Sequence, residues 1–253
     1  MSYRAPVLRL GMNQHERLVA GFSTRHGGVS TPPYASLNVG AQVGDAPERV
    51  AENRYRMCEA LGIASNRLAT AGQVHGNTVV VVDTPDHTPH CDALVTTTPD
   101  LYLAVVTADC AAVLLADIDA GVVGACHAGW RGTVAEVVPH TIRVMQKYGA
   151  EPTRIHAYIS PCIGVEAFEV GPEVAAQFDD AVVDTSLGER PHVDLKQALY
   201  RQLQQQGVPG DQVEIAPQCT ATSRDFYSYR AEGSPTGRMM GVIGLRNASS
   251  ASA

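Results

Sequence analysis

Residues 101–125 read LYLAVVTADCAAVLLADIDAGVVGA, and this stretch decides the fold. It holds three short apolar runs, 101–107, 111–116 and 121–125, which are rich in Val, Leu and Ala and bounded by Asp or Gly. Such runs favour strands over helices. The first two runs are too close together for a crossover helix, so these strands must pair antiparallel or bend apart. The stretch therefore predicts an α+β fold rather than a regular doubly wound sheet.

Other elements are mixed along the chain on both sides of this stretch. Further strands are predicted at 17–23, 78–82, 93–96, 154–159 and 239–245. Helices are predicted to follow the capping-box sequences Asp45-Ala-Pro-Glu48 (to about 61) and Thr133-Val-Ala-Glu136 (to 148), and at 172–178 and 194–206. No repeat or linker divides the chain, so we expect one catalytic domain over residues 1–253, with 1–16 and 247–253 peripheral or frayed.

Composition limits the classes of partner. The net charge of −7 argues against a nucleic-acid or anionic-membrane binder, although a small anionic substrate stays open. The sequence has no export signal and no apolar run of about 18 residues, so we expect a cytoplasmic protein. The six cysteines include no CxxC pair and are expected to be reduced thiols. No heptad seam demands an oligomer, which favours a monomer.

Three motifs carry a soft or imidazole ligand at the end of a predicted strand. They are Gln73-Val-His75-Gly76, Thr107-Ala-Asp109-Cys110 and Cys126-His127-Ala-Gly-Trp130. Together, His75, Cys110 and His127 offer two nitrogens and one sulfur, a donor set that suits Zn²⁺ with a fourth position left open. By softness the same set also accepts copper.

The residues alone leave another role for Cys110 open. Cys110 is equally suited to act as a thiolate nucleophile with His127 as its base, because both roles need a deprotonated sulfur near an imidazole. Cys126 and Cys91 compete for either role. Strand alternation predicts that Cys126 points away from the face of its neighbour His127.

A cationic glycine-rich turn is the candidate for binding an anion. Arg25 precedes Gly27-Gly28, whose free backbone N–H groups suit a phosphate or carboxylate. The amide of Asn38 and the guanidinium of Arg56 are further candidates. Gln73 and Asp109, in the motifs of His75 and Cys110, are also predicted to bind substrate or phosphate.

Taken together, the motifs resemble the YfiH/YlmD family, also labelled laccase-domain or multicopper polyphenol oxidase proteins and peptidoglycan editing factors. The matching segments are 24–30 (TRHGGVS), 36–40 (SLNVG), 73–76 (QVHG), 91–95 (CDALV), 107–110 (TADC), 127–132 (HAGWRG), 161–164 (PCIG), 219–220 (CT) and 236–239 (TGRM). Ala111-Ala112 and Ser160 depart from the usual pattern, but neither change touches a proposed ligand.

The resemblance implies a four-layer α/β/β/α sandwich with a metal site at His75, Cys110 and His127. It also implies a purine nucleoside phosphorylase acting on adenosine, inosine and S-methyl-5′-thioadenosine, with adenosine deaminase activity beside it. Zinc chemistry accounts for deamination, whereas phosphorolysis needs cations to hold phosphate, for which Arg25 and Arg56 are the candidates.

Two alternative functions stay open at this point. One is an amide hydrolase that edits cell-wall precursors. The other is a copper-dependent polyphenol oxidase, although nine histidines without a single His-x-His pair make a multicopper centre hard to assemble. A non-catalytic binding protein is disfavoured because three ligands leave an open metal position.

Overall fold

The computed structural model describes residues 7–8 and 10–247. Within them the chain forms fourteen strands: β1 Val7–Leu8, β2 Leu18–Ser23, β3 Leu68–Gly72, β4 Val79–Val81, β5 His87–Pro89, β6 Ala93–Thr96, β7 Tyr102–Thr107, β8 Ala111–Asp117, β9 Val122–Ala128, β10 His156–Ile159, β11 Val183–Asp184, β12 His192–Val193, β13 Val213–Ile215 and β14 Met239–Leu245. The α-helices of the same part are α1 Pro47–Leu61, α2 Trp130–Val134, α3 Val137–Lys147, α4 Pro172–Ala175, α5 Leu195–Gln205 and α6 Tyr229–Glu232. Short 3₁₀ turns lie at Gly11–Gln14, Ser65–Arg67, Pro152–Arg154, Val165–Ala167, Asp180–Val182 and Gly210–Gln212.

Twelve of these strands build two six-stranded mixed sheets. The first sheet has the order β1-β2-β14-β7-β3-β5 and the second the order β13-β10-β8-β9-β6-β4, while β11 and β12 form a separate ribbon. In the first sheet β3 is parallel to both β7 and β5. In the second sheet β8 and β9 form a long antiparallel hairpin that pairs from Ala111 with Ala128 to Asp117 with Val122.

The predicted strands at 101–107 and 111–116 do not pair with each other; the chain bends between them. β7 lies in the first sheet and β8 in the second, so residues 108–110 carry the chain from one sheet to the other. Asp109 takes a left-handed backbone at φ 79°, which Asp tolerates better than most residues. This corner places Cys110 at the edge where the sheets meet.

The main core lies between the two sheets. Phe22 and Leu103 of the first sheet pack in one cluster with Leu114 and Tyr158 of the second, and each is at most 2% exposed. Neighbouring residues of β8 alternate between this cluster and the outer face of the sheet, where Val113 packs. Because both faces of β8 are covered, its sequence is continuously apolar.

Helices cover the two outer faces. α3 and α5 pack on the second sheet, with Ile142, Met145 and Leu199 completely buried. On the outside of the first sheet, Met57 of α1 packs in a cluster with Met240 and Val242 of β14. The layer order is therefore α/β/β/α, which confirms the fold expected from the resemblance. That the whole chain is one catalytic domain stays a prediction, and residues 1–6, 9 and 248–253 lie outside the described residues.

Both predicted capping boxes are wrong, whereas the cap at Asp194 is confirmed. Ala46 caps α1 without a side-chain bond, because the Asp45 carboxylate accepts from Ser30 and Asn38 instead. Thr133 lies inside α2, where its hydroxyl donates to the Gly129 carbonyl, and α3 begins four residues later, at Val137. Asp194 accepts from the N–H of Gln197 as predicted.

The other predictions of secondary structure differ mainly at the ends of elements. The strand predicted at 239–245 is confirmed without change, but that at 154–159 begins at His156 and the helix at 172–178 ends at Ala175. β3 was not predicted, because Leu68-Ala-Thr-Ala-Gly72 has weak strand propensity and owes its conformation to pairing with β7. None of the described helices is both long and apolar enough to cross a bilayer. All six cysteines are free thiols.

Candidate metal centre

The three predicted ligands meet at one edge of the sandwich. Because β3 and β7 are parallel, the loop with His75 and the corner with Cys110 leave the same edge of the first sheet. β8 begins at this corner, and β9 runs back beside it, with His127 opposite Ala112. The end of β9 therefore returns His127 to the place where the two sheets meet.

The donor atoms of His75, Cys110 and His127 lie within 4.8 Å of one another. The two imidazole rings stand edge to face, with centroids 4.8 Å apart and an interplanar angle of 80°. His127 is only 3% exposed, Cys110 is half-buried and His75 is exposed, so the cluster is held from inside and open on one side. This is the arrangement of a catalytic rather than a closed structural site.

The buried carboxylate of Asp92 organises both histidines. One oxygen accepts from the N–H of His75 at 2.9 Å and from His127 Nδ1 at 2.8 Å. The other oxygen accepts from the N–H groups of Val74 at 3.1 Å and Gly76 at 2.7 Å. Since Nδ1 of His127 donates its proton in a hydrogen bond to Asp92, Nε2 is the ring nitrogen left to bind a metal. The same carboxylate stabilises the left-handed backbone of His75, whose φ is 62°.

Charge within the cluster favours the ligand form of Cys110. Burial alone raises the pKa of this thiol, but the charge of His127 and hydrogen bonds from His127 and His75 outweigh burial and lower the pKa to about 6. Burial lowers the pKa of His127, whereas the charge of Cys110 and the hydrogen bond to Asp92 raise it to about 9. Without metal these opposite shifts in pKa favour the thiolate of Cys110 and the protonated form of His127. The thiolate is the form of cysteine that binds metal.

The competing cysteines lie elsewhere. Cys126 points to the opposite face of β9, as strand alternation predicts, and its thiol donates to Thr141 under α3. Burial raises the pKa of Cys126 to about 12. Cys91 is buried and donates to the Thr88 carbonyl, and burial raises its pKa as well. Neither thiol belongs to the cluster.

The three donors fit a zinc ion. Zinc binds imidazole nitrogen at about 2.0–2.1 Å and thiolate sulfur at about 2.3 Å, so donors no more than 4.8 Å apart are close enough to share one ion. Gly129 leaves the room for this: a Cβ on it would lie 2.7 Å from Cys110 Sγ and 3.4 Å from Cδ2 of His75. The chain thus provides three donors, a buried carboxylate behind them and a space that a larger residue would fill.

Replacing Gly129 by alanine should weaken zinc binding about tenfold or more. Its φ of −79° suits alanine, so the added methyl acts by displacing Cys110 Sγ rather than by straining the backbone. Competition with a chromophoric chelator measures the affinity. Gly188→Ala is the control, since there the nearest atom, on His192, is at an ordinary 3.5 Å. A Gly129→Ala protein with wild-type zinc affinity would contradict the placement of the metal.

A cavity of about 690 Å³ opens at the three ligands. Its lining includes the arginines Arg54, Arg230 and Arg238 and a group of apolar side chains, Trp130, Ile163, Phe168, Leu195 and Tyr229. A cavity of this size and mixed lining suits a small organic ligand that carries an anionic group.

Two residues predicted to bind substrate, Gln73 and Asp109, line the cavity, but their side chains form hydrogen bonds with other parts of the protein. The Gln73 amide donates to the carbonyl of Val106 at 2.7 Å and accepts from its N–H at 2.8 Å. Asp109 accepts from the hydroxyls of Thr220 and Ser228 and from the N–H of Arg230, each at 2.7 Å. Gln73 thus fixes the loop before His75, and Asp109 fixes the loop that precedes α6.

The other three, Arg25, Asn38 and Arg56, are not part of the cavity lining. The Arg25 guanidinium pairs with Glu232 and stacks 4.4 Å from the centroid of the Tyr227 ring. Arg56 on α1 pairs with Glu52 at 2.7 Å. The two arginines expected to hold phosphate therefore each have a carboxylate partner and lie outside the cavity lining.

Asn38 is completely buried and orders the chain rather than facing the cavity. Its side-chain oxygen accepts from the N–H of Gly40 at 3.0 Å and from that of Arg238 at 2.9 Å, while its nitrogen donates to Asp45 at 2.9 Å. Asn38 therefore joins the segment after the glycine-rich turn to the start of β14.

Sequence reasoning missed Asp92, Arg54 and Arg238. Asp92 stands directly before an apolar strand, and a charged residue at that point was the available signal. Arg54 lies in the middle of a helix and Arg238 in a loop, where arginine is usually a solvated surface residue. Only the fold brings these two into one cavity.

Known proteins resemble this chain over nearly its whole length. Residues 19–246 match the family model described as multi-copper polyphenol oxidoreductase laccase. A purine nucleoside phosphorylase of Deinococcus radiodurans is 48% identical over 248 residues, which cover 95% of this chain and 94% of that protein. Purine nucleoside phosphorylase YlmD of Geobacillus stearothermophilus is 34% identical, with 94% of each chain covered.

Solved structures agree with the sequence comparisons. The crystal structure of YlmD from Geobacillus stearothermophilus has a TM-score of 0.91 at 31% identity, covering 98% of both chains. That of YfiH from Bacillus licheniformis has a TM-score of 0.87 at 31% identity, covering 97% of this chain and 98% of that one. Since the matched residues include all three ligands and every layer of the sandwich, the chain belongs to the YfiH/YlmD family, the one described as multi-copper polyphenol oxidoreductase laccase.

Proposed function

We propose that this chain is a zinc-dependent purine nucleoside phosphorylase that splits adenosine, inosine and S-methyl-5′-thioadenosine. The products are the free base and ribose 1-phosphate or its methylthio derivative. The observation that carries the proposal is the cluster of His75, Cys110 and His127 at a cavity of about 690 Å³ that also contains arginines. The names of the relatives, purine nucleoside phosphorylases, support the same conclusion.

The apolar part of the cavity supports a flat heteroaromatic ligand. Trp130, Phe168 and Tyr229 contribute aromatic surface to the lining, and Tyr229 is 57% exposed. A purine base is a large π-system that gains free energy by stacking on such rings. The Arg230 guanidinium, 5.6 Å from the Phe168 ring centroid, adds a planar cation beside this surface.

Phosphorolysis requires the protein to bind phosphate and the nucleoside and to orient them for reaction. An oxygen of hydrogen phosphate forms a bond to C1′ of the ribose while the bond from C1′ to the base nitrogen breaks. The electron pair of the broken bond goes to the base, which takes up the proton that phosphate gives. In our proposal the arginines bind the phosphate, the aromatic group binds the base, and the cavity excludes water that would otherwise compete with phosphate.

A zinc ion held by His75, Cys110 and His127 would supply a Lewis acid at the cavity. On this ground we also propose adenosine deaminase as a second activity, in which water replaces the amino group at C6 and ammonia leaves. Asp92 contributes to both activities by holding the proton on Nδ1 of His127.

Product analysis of adenosine turnover tests the proposal. With phosphate present, the zinc-loaded protein should release ribose 1-phosphate in an amount equal to the free base, counted as adenine plus any hypoxanthine formed through inosine, and omission of phosphate should abolish both products. Inosine formed without phosphate would report the deaminase. Metal analysis of protein purified without added metal should find about one zinc per chain. Adenosine turnover that is independent of phosphate and yields no ribose 1-phosphate would reject the phosphorylase.

The family description supports one other candidate, copper-dependent oxidation of phenols. Within residues 7–8 and 10–247, His, Cys, Asp and Glu side chains converge as possible metal ligands at this one cluster. A multicopper centre needs several such sites. We therefore expect phenol oxidation, if copper-loaded protein shows any, to vanish when zinc replaces copper, while nucleoside phosphorolysis persists.

A further inference from the structure

Two arginines of the cavity have no carboxylate partner among the described residues. Nε of Arg54 donates to the carbonyl of Val39 at 2.9 Å. Nη1 of Arg238 donates to the carbonyls of Thr236 at 2.9 Å and Gly237 at 2.8 Å. Burial lowers the pKa of both guanidinium groups. A half-buried cation that is paired only with carbonyl oxygens keeps an unneutralised charge, which favours binding of an anion.

Both arginines are fixed by the same short segment of chain. The Val39 carbonyl holds Arg54, and the Val39 N–H donates to the carbonyl of Arg238 at 3.2 Å. Gly40 is packed so closely that a Cβ there would lie 2.6 Å from Cγ of Arg238. Both arginines are therefore fixed by contacts with the backbone of residues 39–40 rather than by flexible side chains.

Thr107 is a second, independent observation at this place. It is 1% exposed and lines the cavity, and its hydroxyl has no hydrogen-bond partner in the described part of the chain. Thr107 pairs in the sheet with Met239, the residue that follows Arg238 in the chain. A buried hydroxyl without a partner is rare in folded proteins, and this one belongs to a residue in the wall of the cavity.

We infer that Arg54, Arg238 and Thr107 form an anion subsite that binds a phosphate oxyanion next to the metal centre. Guanidinium groups bind phosphate in bidentate geometry, and a hydroxyl donates to a third oxygen. Arg238, Asp109 and Cys110 line the same cavity, so the subsite adjoins the metal ligands. The inference rests on the proposed function, for which it names the phosphate-binding residues.

Steady-state kinetics of the zinc-loaded protein test the subsite. Arg238→Gln and Arg54→Gln should each raise the KM for inorganic phosphate about tenfold or more, with a much smaller change in the KM for adenosine. Arg49→Gln removes a charge from the same helix as Arg54, but Arg49 donates to Thr31 outside the cavity, so phosphate KM should not change.

Thr107→Val separates ligand binding from folding. Because the hydroxyl has no protein partner, valine should leave the melting temperature unchanged or higher while it raises the KM for phosphate. Thr141→Val is the matched control: Thr141 is equally buried, but it donates to the Val137 carbonyl. That variant should lose thermal stability and keep the phosphate KM of the wild type.

Ligand-induced stabilisation tests the subsite without turnover. Inorganic phosphate should raise the melting temperature of zinc-loaded wild type above that in chloride of equal ionic strength, and Arg238→Gln should abolish the difference. If adenosine 5′-monophosphate stabilises the protein through Arg238 and inorganic phosphate does not, the subsite stands and its phosphate is an ester of the substrate. If neither stabilises it, the subsite is rejected.

The kinetic and thermal results also distinguish failure of the subsite from failure of the proposed function. Ribose 1-phosphate production with an unchanged phosphate KM in Arg54→Gln, Arg238→Gln and Thr107→Val would overturn the subsite and leave the phosphorylase intact. Phosphate stabilisation that depends on Arg238, in a protein that makes no ribose 1-phosphate, would support the subsite and reject the phosphorylase.

Discussion

Cys110→Ser should remove the bound metal and the nucleoside activity together. Serine keeps the size and a polar oxygen but lacks the soft thiolate, and zinc would be left with two imidazoles. Loss of a residue that only hydrogen-bonds a metal ligand lowers metal affinity about 10–100-fold. Because Cys110 is itself a proposed ligand, we expect zinc affinity to fall by more than that. Zinc content and adenosine phosphorolysis, measured on the same preparation, check the result, and excess zinc should restore a little of both.

The alternative role of Cys110, as a covalent nucleophile, predicts a different outcome. In that case the serine variant would be inactive while it retains its full complement of zinc. The rate of Cys110 alkylation also distinguishes a metal ligand from a free nucleophile. In metal-free protein the Cys110 thiol, with its pKa lowered to about 6, should react at a rate that rises through pH 6, and bound zinc should protect it. Cys126, whose pKa burial raises to about 12, is the internal control and should not react.

The ligand residues could be found from the sequence because each one lies close to an end of a strand or an apolar run. Short apolar runs locate strand ends reliably, and His75, Cys110 and His127 each stand at or beside such an end. Their convergence depends on the bend at 108–110, which the short spacing between the two runs allowed but did not require. The left-handed backbone of Asp109 settles the choice between pairing and bending.

The anion-binding side of the cavity could not be found in this way. Arg25 beside two glycines was the stronger local pattern, yet the fold supplies it with Glu232. Arg54 and Arg238 carry no local pattern, and only the folded chain brings both into contact with residues 39–40 and into the lining of one cavity. Whether an arginine is available to a ligand depends on which carboxylates the tertiary structure places near it. Neither periodicity nor motif spacing contains that information.

Asp92→Asn should reduce zinc affinity about 10–100-fold, through the histidines rather than through any contact with the metal. Each carboxylate oxygen of Asp92 accepts two N–H groups, one pair from His75 and His127 and the other from Val74 and Gly76. An amide has one acceptor oxygen, so in either orientation its NH₂ group faces two donors. The His127 proton or the loop of His75 then loses its partner.

A second buried carboxylate of the same sheet makes the control for Asp92. Asp117, also 0% exposed, accepts from the N–H groups of Ala120 at 3.0 Å and Glu151 at 2.8 Å and pairs with Arg154 at 3.1 Å. It ends β8 at the far side from Cys110. Both Asp92→Asn and Asp117→Asn should lower the free energy of unfolding by about 1–3 kcal/mol for each donor left unpaired. Asp117→Asn should do so without a change in zinc affinity.

The comparison of the two variants isolates the positioning role of Asp92. Hydrogen bonds from the protein lower the pKa of both carboxyl groups despite burial, so each stabilises the fold above its unfolded pKa of about 3.9 and loses that effect as pH falls. The pH midpoint of acid unfolding should therefore shift from that of the wild type by a similar amount in the two variants. Nitrogen NMR of His127 should show a changed Nδ1–H environment in Asp92→Asn alone, because only there is the carboxylate that Nδ1 donates to replaced. Equal zinc affinities in Asp92→Asn and Asp117→Asn would mean that Asp92 merely stabilises the fold.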